Sequence, residues 1–293
     1  MTPNPVIPAA RIVDRGYQRY DGVRLGPSHA LWTIVRGAMA RAMGVRRPFR
    51  AKILPWLLII VAYLPVVVLL GIQTQIQHFP GFHPPLLSSL FGRNILTYIL
   101  FAGLAAPELL CADRREQVLS LYYAAPITRL HYIGAKSFSL ILLLLAVTLL
   151  PALLLFTGYA LLSDSFASYV RDHGADLGHL LLGGSLLALY YGAVALAVSA
   201  FTDRRAYAAG AFLGLLLVTS AAAGILSHQM TFAGHERFAL LDLLNAPIQT
   251  VNWLFGQPLR YNLSGWSYLG VTAAAIAVSL ALLAWRYLRG DDR

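Results

Sequence analysis

Six stretches of 17 to 25 residues, at 53–71, 95–111, 138–162, 180–201, 206–226 and 268–285, are almost wholly apolar. A helix needs about 20 such residues to cross the hydrocarbon core of a bilayer, so each can supply one span. Five of them hold no Asp, Glu, Lys or Arg, and the exception is Glu108 near the end of the second. One such charge at mid-bilayer costs about 2.5–3.5 kcal/mol, so charge is excluded where lipid is expected. Composition agrees: 58% of the 293 residues are apolar and 12% charged, against roughly 45–50% and roughly 25% in soluble domains. A lone cysteine, Cys111, and the lack of any CxxC pair exclude a disulfide scaffold or a zinc fold. The expected fold is therefore an all-α integral membrane protein, with a cytoplasmic tail at 1–52 and a six-span domain at 53–289.

Orientation follows from the basic residues, which accumulate in cytoplasmic loops. Of the 23 Lys and Arg, 19 lie before the first span, between spans two and three, between four and five, or after the sixth. Both termini are expected in the cytoplasm, and the first apolar stretch begins too late for a cleavable signal peptide. The reading is a multi-pass protein of the inner (plasma) membrane. The polar segments are too short to make a soluble catalytic domain, and the basic charge follows membrane topology, giving no sign of nucleic-acid binding.

Ion-driven transport needs ionisable groups near mid-membrane, and these are scarce. Glu108 follows Pro107, which disturbs a helix, so it reads either as a carboxylate paired to a nearby arginine or as a proton relay. Six of the eight histidines fall in external loops without ligand spacing, so no metal site is expected. Gly134–Ser137 lacks the contiguous Gly-Lys and the earlier glycine of a phosphate loop, and His235-Glu236 lacks the second histidine of a zinc protease. No cofactor is expected in this chain.

Energy must then arrive from the cytoplasmic side, and the loop at 112–137 is the place for it. After Asp113, a residue type suited to a helix N-cap, Val118, Leu119, Leu121, Tyr122 and Tyr123 recur at helical spacing behind Arg114, Arg115 and Glu116. This is the pattern of an interfacial helix. It stops before Pro126, and Thr128 can cap a helix running through Arg129 and Lys136 into the third span. A plain basic loop that only fixes orientation is the alternative.

These residues resemble the membrane subunits of type-2 ABC transporters, matching at Asp113, Arg114, Leu119, Leu121, Tyr122, Pro126, Ile127, Thr128, Arg129 and Lys136. Two positions depart from that family: its Gly-Thr is Gln117-Val118 here, and His131 replaces the acid of a capping box, which predicts a less tightly fixed start to the third span. The resemblance implies an exporter built from two permease copies, or two related ones, with two ABC ATPase subunits that bind ATP and Mg beneath. Residues 116–125 would be the coupling helix, with Glu116, Leu119, Tyr122, Tyr123, Pro126 and Arg129 meeting the ATPase.

Further upstream, Leu31, Ile34, Val35, Ala38, Met39 and Ala42 share one helical face from Ser28 onward, with Arg36 and Arg41 among the residues turned away. Such a helix lies on anionic lipid. The resemblance makes it an elbow helix, with Trp32, Val35, Arg36 and Met39 as its marker residues. Between spans five and six, two short helices broken at Pro247 are expected to re-enter the outer interface. Gly210 and Gly214 form a GxxxG pair, for a dimer seam or for packing within one subunit. If the family plan holds, the second and fifth spans line the transport path, with Tyr98, Phe101, Phe212 and Thr219 along it.

The function expected is thus a permease without ATPase activity of its own, exporting an amphiphilic or hydrophobic drug, lipid or peptide. The rivals are a membrane anchor that recruits a partner, and an intramembrane enzyme. The latter needs paired carboxylates or a Ser/His pair inside the spans, and the sequence supplies neither.

Overall fold

The computed structural model describes residues 26–45, 48–76, 87–117, 127–229, 235–261 and 263–289. Helix α1 (Pro27–Ala42) is followed by α2 (Phe49–Ile76), the short α3 (Ser89–Arg93), α4 (Ile95–Arg115), α5 (Arg129–Leu162), the short α6 (Phe166–Asp172), α7 (Gly174–Ser199) and α8 (Arg205–Gln229). A 3-10 turn (His235–Leu241), α9 (Ala246–Leu254) and α10 (Gly265–Leu288) complete the chain, and no strand occurs among the described residues. Among the described residues six helices, α2, α4, α5, α7, α8 and α10, are long and apolar enough to cross a membrane.

Helices α4 and α7 form the buried centre, while α2, α8 and α10 turn most of their side chains outward. The exposed residues include Ile60, Val67, Leu217, Val218 and Val278, as expected of surfaces in contact with lipid. Apolar side chains gain little by leaving lipid for each other, so close approach at small residues holds such bundles together. A side chain on Gly184 of α7 would place its Cβ 3.1 Å from the Leu149 backbone of α5. At the same crossing Thr148 donates its hydroxyl to the Gly184 carbonyl at 3.0 Å. Gly103 of α4 likewise admits the Phe212 ring of α8. Gly210 and Gly214 face open space within the subunit, so the packing reading of that pair fails for a single chain.

The helices outrun the apolar stretches. Helix α5 begins nine residues before 138, because Thr128 caps it: the Thr128 hydroxyl accepts from the His131 amide at 3.3 Å, and the His131 ring meets the same hydroxyl at 2.8 Å. His131 thus braces the cap that the missing acid was expected to leave loose. Asp113 is not an N-cap, since α4 runs on to Arg115.

On the far side of the bundle, the break expected at Pro247 lies at 242–245, and Pro247 occupies the first turn of α9. A proline fits there because that turn's N–H has no helical partner to lose. The Leu243 and Leu244 carbonyls at the break accept the Tyr190 and Tyr191 hydroxyls of α7 at 2.7 and 2.8 Å. Asp242 closes the turn by accepting from the Asn245 amide at 3.0 Å. Irregular backbone between spans is tolerated only with such partners. Thr250 and Thr272 then join α9 to α10 through their hydroxyls, 3.0 Å apart.

Candidate functional site

One end of the bundle, its basic end, gathers the C-terminus of α4, the N-termini of α5 and α8, and the last turn of α10. Here Asp113 is fully buried and faces α1 and α5. Its Oδ1 accepts from Arg41 Nη1 of α1 at 2.6 Å, and its Oδ2 lies 2.6 Å from Lys136 Nζ of α5. The Tyr132 hydroxyl donates to the same Oδ2 at 2.8 Å. Tyr132 and Lys136 are four residues apart on α5, so one helical face presents both, and both are fully buried. Lys136 is one of only two lysines in the chain, and its ammonium stands 5.5 Å from the centre of the Tyr132 ring. One carboxylate thereby ties three helices together.

The opposite face of α4 is clamped to the α7–α8 turn. Glu108, Cys111 and Arg114, at three-residue steps, form that face. Glu108 Oε2 lies 2.5 Å from Arg205 Nη1, and the Cys111 thiol sits 3.2 Å from the Thr202 carbonyl. Arg114 pairs with Asp203 at 3.0 Å and donates to the Ala200 carbonyl. Asp203 is well exposed, so that pair adds little stability, about 0–1 kcal/mol. The buried Asp113 cluster is of another order, because removing one member of a buried pair typically costs about 3–5 kcal/mol. At the start of α5, Arg129 donates to the Tyr287 carbonyl of α10 at 3.4 Å.

Glu116 caps the end of α4, and Gln117 adopts φ of 53°. A left-handed residue at this position is a common helix stop, normally taken by glycine. Gln117 is also where the sequence departs from the glycine of the resembling transporters, which gives that glycine a conformational reason.

Residues 72–291 match the family described as ABC-2 family transporter protein. The chain belongs to the ABC-2 transporter family. No curated protein matches it. The ABC-2 protein of a transporter is its membrane permease, and ATP hydrolysis resides in a separate ABC ATPase subunit.

In this permease the residues expected to meet the ATPase fall in two groups. Glu116 lies in the exposed turn after α4, and Arg129 opens α5. Leu119, Tyr122, Tyr123 and Pro126, with Leu121, lie outside the described residues. The marker residues of α1 divide by face: Val35 is buried and Met39 partly buried, while Trp32 and Arg36 are exposed. Ile34 and Val35 pack on Ile127 and Ala135 at the start of α5. Of the path residues, Tyr98, Phe101 and Phe212 are buried within the subunit, and Thr219 lines an outward groove of α8.

Tyr132 and Arg205 were not singled out by the sequence reading. The signal for Tyr132 was its four-residue step to Lys136; Arg205 carries none, since only folding brings α8 to Glu108. Glu108→Gln is expected to cost about 1–2 kcal/mol, discounted because Arg205 is a third exposed. Transport should persist, and the reversed pair Glu108→Arg with Arg205→Glu should restore thermal stability. Transport abolished by Glu108→Gln, with the ATPase still bound and no rescue by reversal, would instead assign Glu108 to proton movement.

Proposed function

We propose that this permease exports an amphiphilic or hydrophobic molecule, a drug, lipid or peptide, by alternating access driven by ATP. Two copies, or this chain and a related one, assemble in the plasma membrane with two ABC ATPase subunits beneath. The basic end faces the cytoplasm, as its excess of arginine favours. The ATPases bind ATP and Mg and press on residues 116–125 as they close.

The observation that carries this reading is the Asp113 cluster. Residues 116–125 join α4 to α5 in the sequence, and Asp113 binds both helices to α1. A push on 116–125 therefore moves three helices as one body instead of bending a loop. The path runs between the two permeases along α4 and α8. Tyr98, Phe101 and Phe212 back this path and come to line it as α4 and α8 separate. The 3-10 turn and α9, held by Tyr190 and Tyr191, cap the exit.

The test is reconstitution of the permease with its ATPase in liposomes. ATP hydrolysis is expected to rise several-fold with the transported amphiphile, which accumulates on the side opposite the ATPase. Hydrolysis indifferent to any transported molecule would mark a membrane anchor, and a chemical product formed without nucleotide would mark an enzyme.

A further inference from the structure

Between α8 and α10, over a floor made by α7, runs an open-sided cavity of about 1060 Å³. Its volume is at the upper limit of small-molecule pockets, which span roughly 300–1,000 Å³. The walls are a stripe of α8 from Tyr207 to Ala222 and a stripe of α10 from Val271 to Leu282, both at three- and four-residue steps. Nearly all lining side chains are apolar, and the Thr219 hydroxyl is turned back onto the Leu215 carbonyl at 2.8 Å. The α8 wall covers fifteen steps of helix, about 22 Å, enough for one leaflet's share of the hydrocarbon core, about 15 Å, plus its interfacial band. Leu240, Leu241 and Leu243 line the end away from the basic end.

The groove's basic end has a distinct chemistry. One turn before Tyr207, Arg204 stacks over that ring at 5.4 Å and reaches its hydroxyl at 3.4 Å. On the other wall, the α10 stripe continues past Leu282 to Trp285 and Arg289, and Arg289 stacks over Trp285 at 5.2 Å. Both arginines are exposed. The one acid beside Arg204 in sequence, Asp203, is engaged by Arg114 at 3.0 Å. Each wall thus ends in an aromatic ring carrying a guanidinium, the residue pair that belongs at a headgroup boundary. Guanidinium groups match phosphate oxygens in geometry as well as charge.

We infer that this groove holds a bilayer phospholipid with a net-negative phosphodiester headgroup. Its acyl chains lie along α8 and α10, and its phosphate sits between Arg204 and Arg289. A second copy packed groove to groove is a poorer occupant, because it would set its own Arg204 and Arg289 against these two, whereas an anionic headgroup neutralises them. The groove shares α8 and Thr219 with the proposed transport path, but its occupancy is read from bound lipid without ATP or transport.

The test uses the full-length permease in liposomes of phosphatidylcholine with a minority of phosphatidylglycerol, followed by native mass spectrometry of the lipid retained. The wild type is expected to carry phosphatidylglycerol enriched over the bulk. Arg204→Gln and Arg289→Gln should each lower the enrichment about fivefold, the effect of one basic contact near an anionic surface. Filling the groove with Ala274→Trp should remove the bound lipid. If that variant does not fold, the arginine variants, which lie at the span ends, decide the matter alone. A retained mixture equal to the bulk, or arginine variants with wild-type enrichment, overturns the inference. So does a Val278→Cys variant that cross-links efficiently to a second copy in the bilayer, since protein then fills the groove.

Discussion

Replacing Asp113 with alanine is expected to lower stability by about 3–5 kcal/mol, which for 293 residues moves the melting temperature by about 5–8 °C. The substitution deletes the carboxylate shared by Arg41 and Lys136, and Lys136 stays fully buried. Asparagine should fall between, since its amide oxygen still accepts from Tyr132 while the charge is lost. The informative variant removes every charge together: Asp113→Leu with Lys136→Met and Arg41→Leu. Buried ion clusters replaced by apolar side chains often lose no stability, so this triple variant should melt near the wild type. ATP hydrolysis by the ATPase bound to it should nonetheless respond weakly to substrate, because α1, α4 and α5 have lost their directional tie. An Asp113→Ala protein that melts like the wild type contradicts the cluster's structural role. A triple variant that stays fully coupled contradicts its part in transmission.

The second large effect is expected at the ATPase contact. Tyr122→Ala with Arg129→Glu should release the ATPase from the purified permease while leaving membrane insertion intact. Tyrosine and arginine at the centre of an interface each commonly contribute about 2 kcal/mol or more, so the pair should weaken binding about a thousandfold. Arg129 donates to the Tyr287 carbonyl in the permease alone, so its replacement also loosens α5 from α10. Arg129→Gln separates the two roles, because it removes the charge yet leaves a group able to donate to that carbonyl. An ATPase that still co-purifies with the double variant places the docking surface elsewhere.

The spans were legible because hydrophobicity in lipid is a local property of each segment, and the order of helices followed from it. Their ends were not. Helix α5 continues through polar residues to Arg129 because Thr128 and His131 cap it, and a reading of apolar runs cannot sense a cap that lies outside them. Asp113 and Lys136 stood out through their place in a motif. That Asp113 is buried could not be read, since Arg41 comes from 72 residues upstream and Tyr132 from the next helix. Pro247 misled for a related reason: proline ends one helix or begins another, and the choice here was made by Tyr190 and Tyr191 holding the carbonyls before it.

The thiol of Cys111 bears on how motion in this protein can be watched. It is buried against the carbonyls of Ser199 and Thr202, so maleimide dyes should pass over it at rest. A reporter cysteine introduced at the surface can then be labelled against a silent background without replacing Cys111. Cys111 itself should take up label only when α4 leaves the α7–α8 turn, so labelling with and without ATP reads directly whether that contact opens.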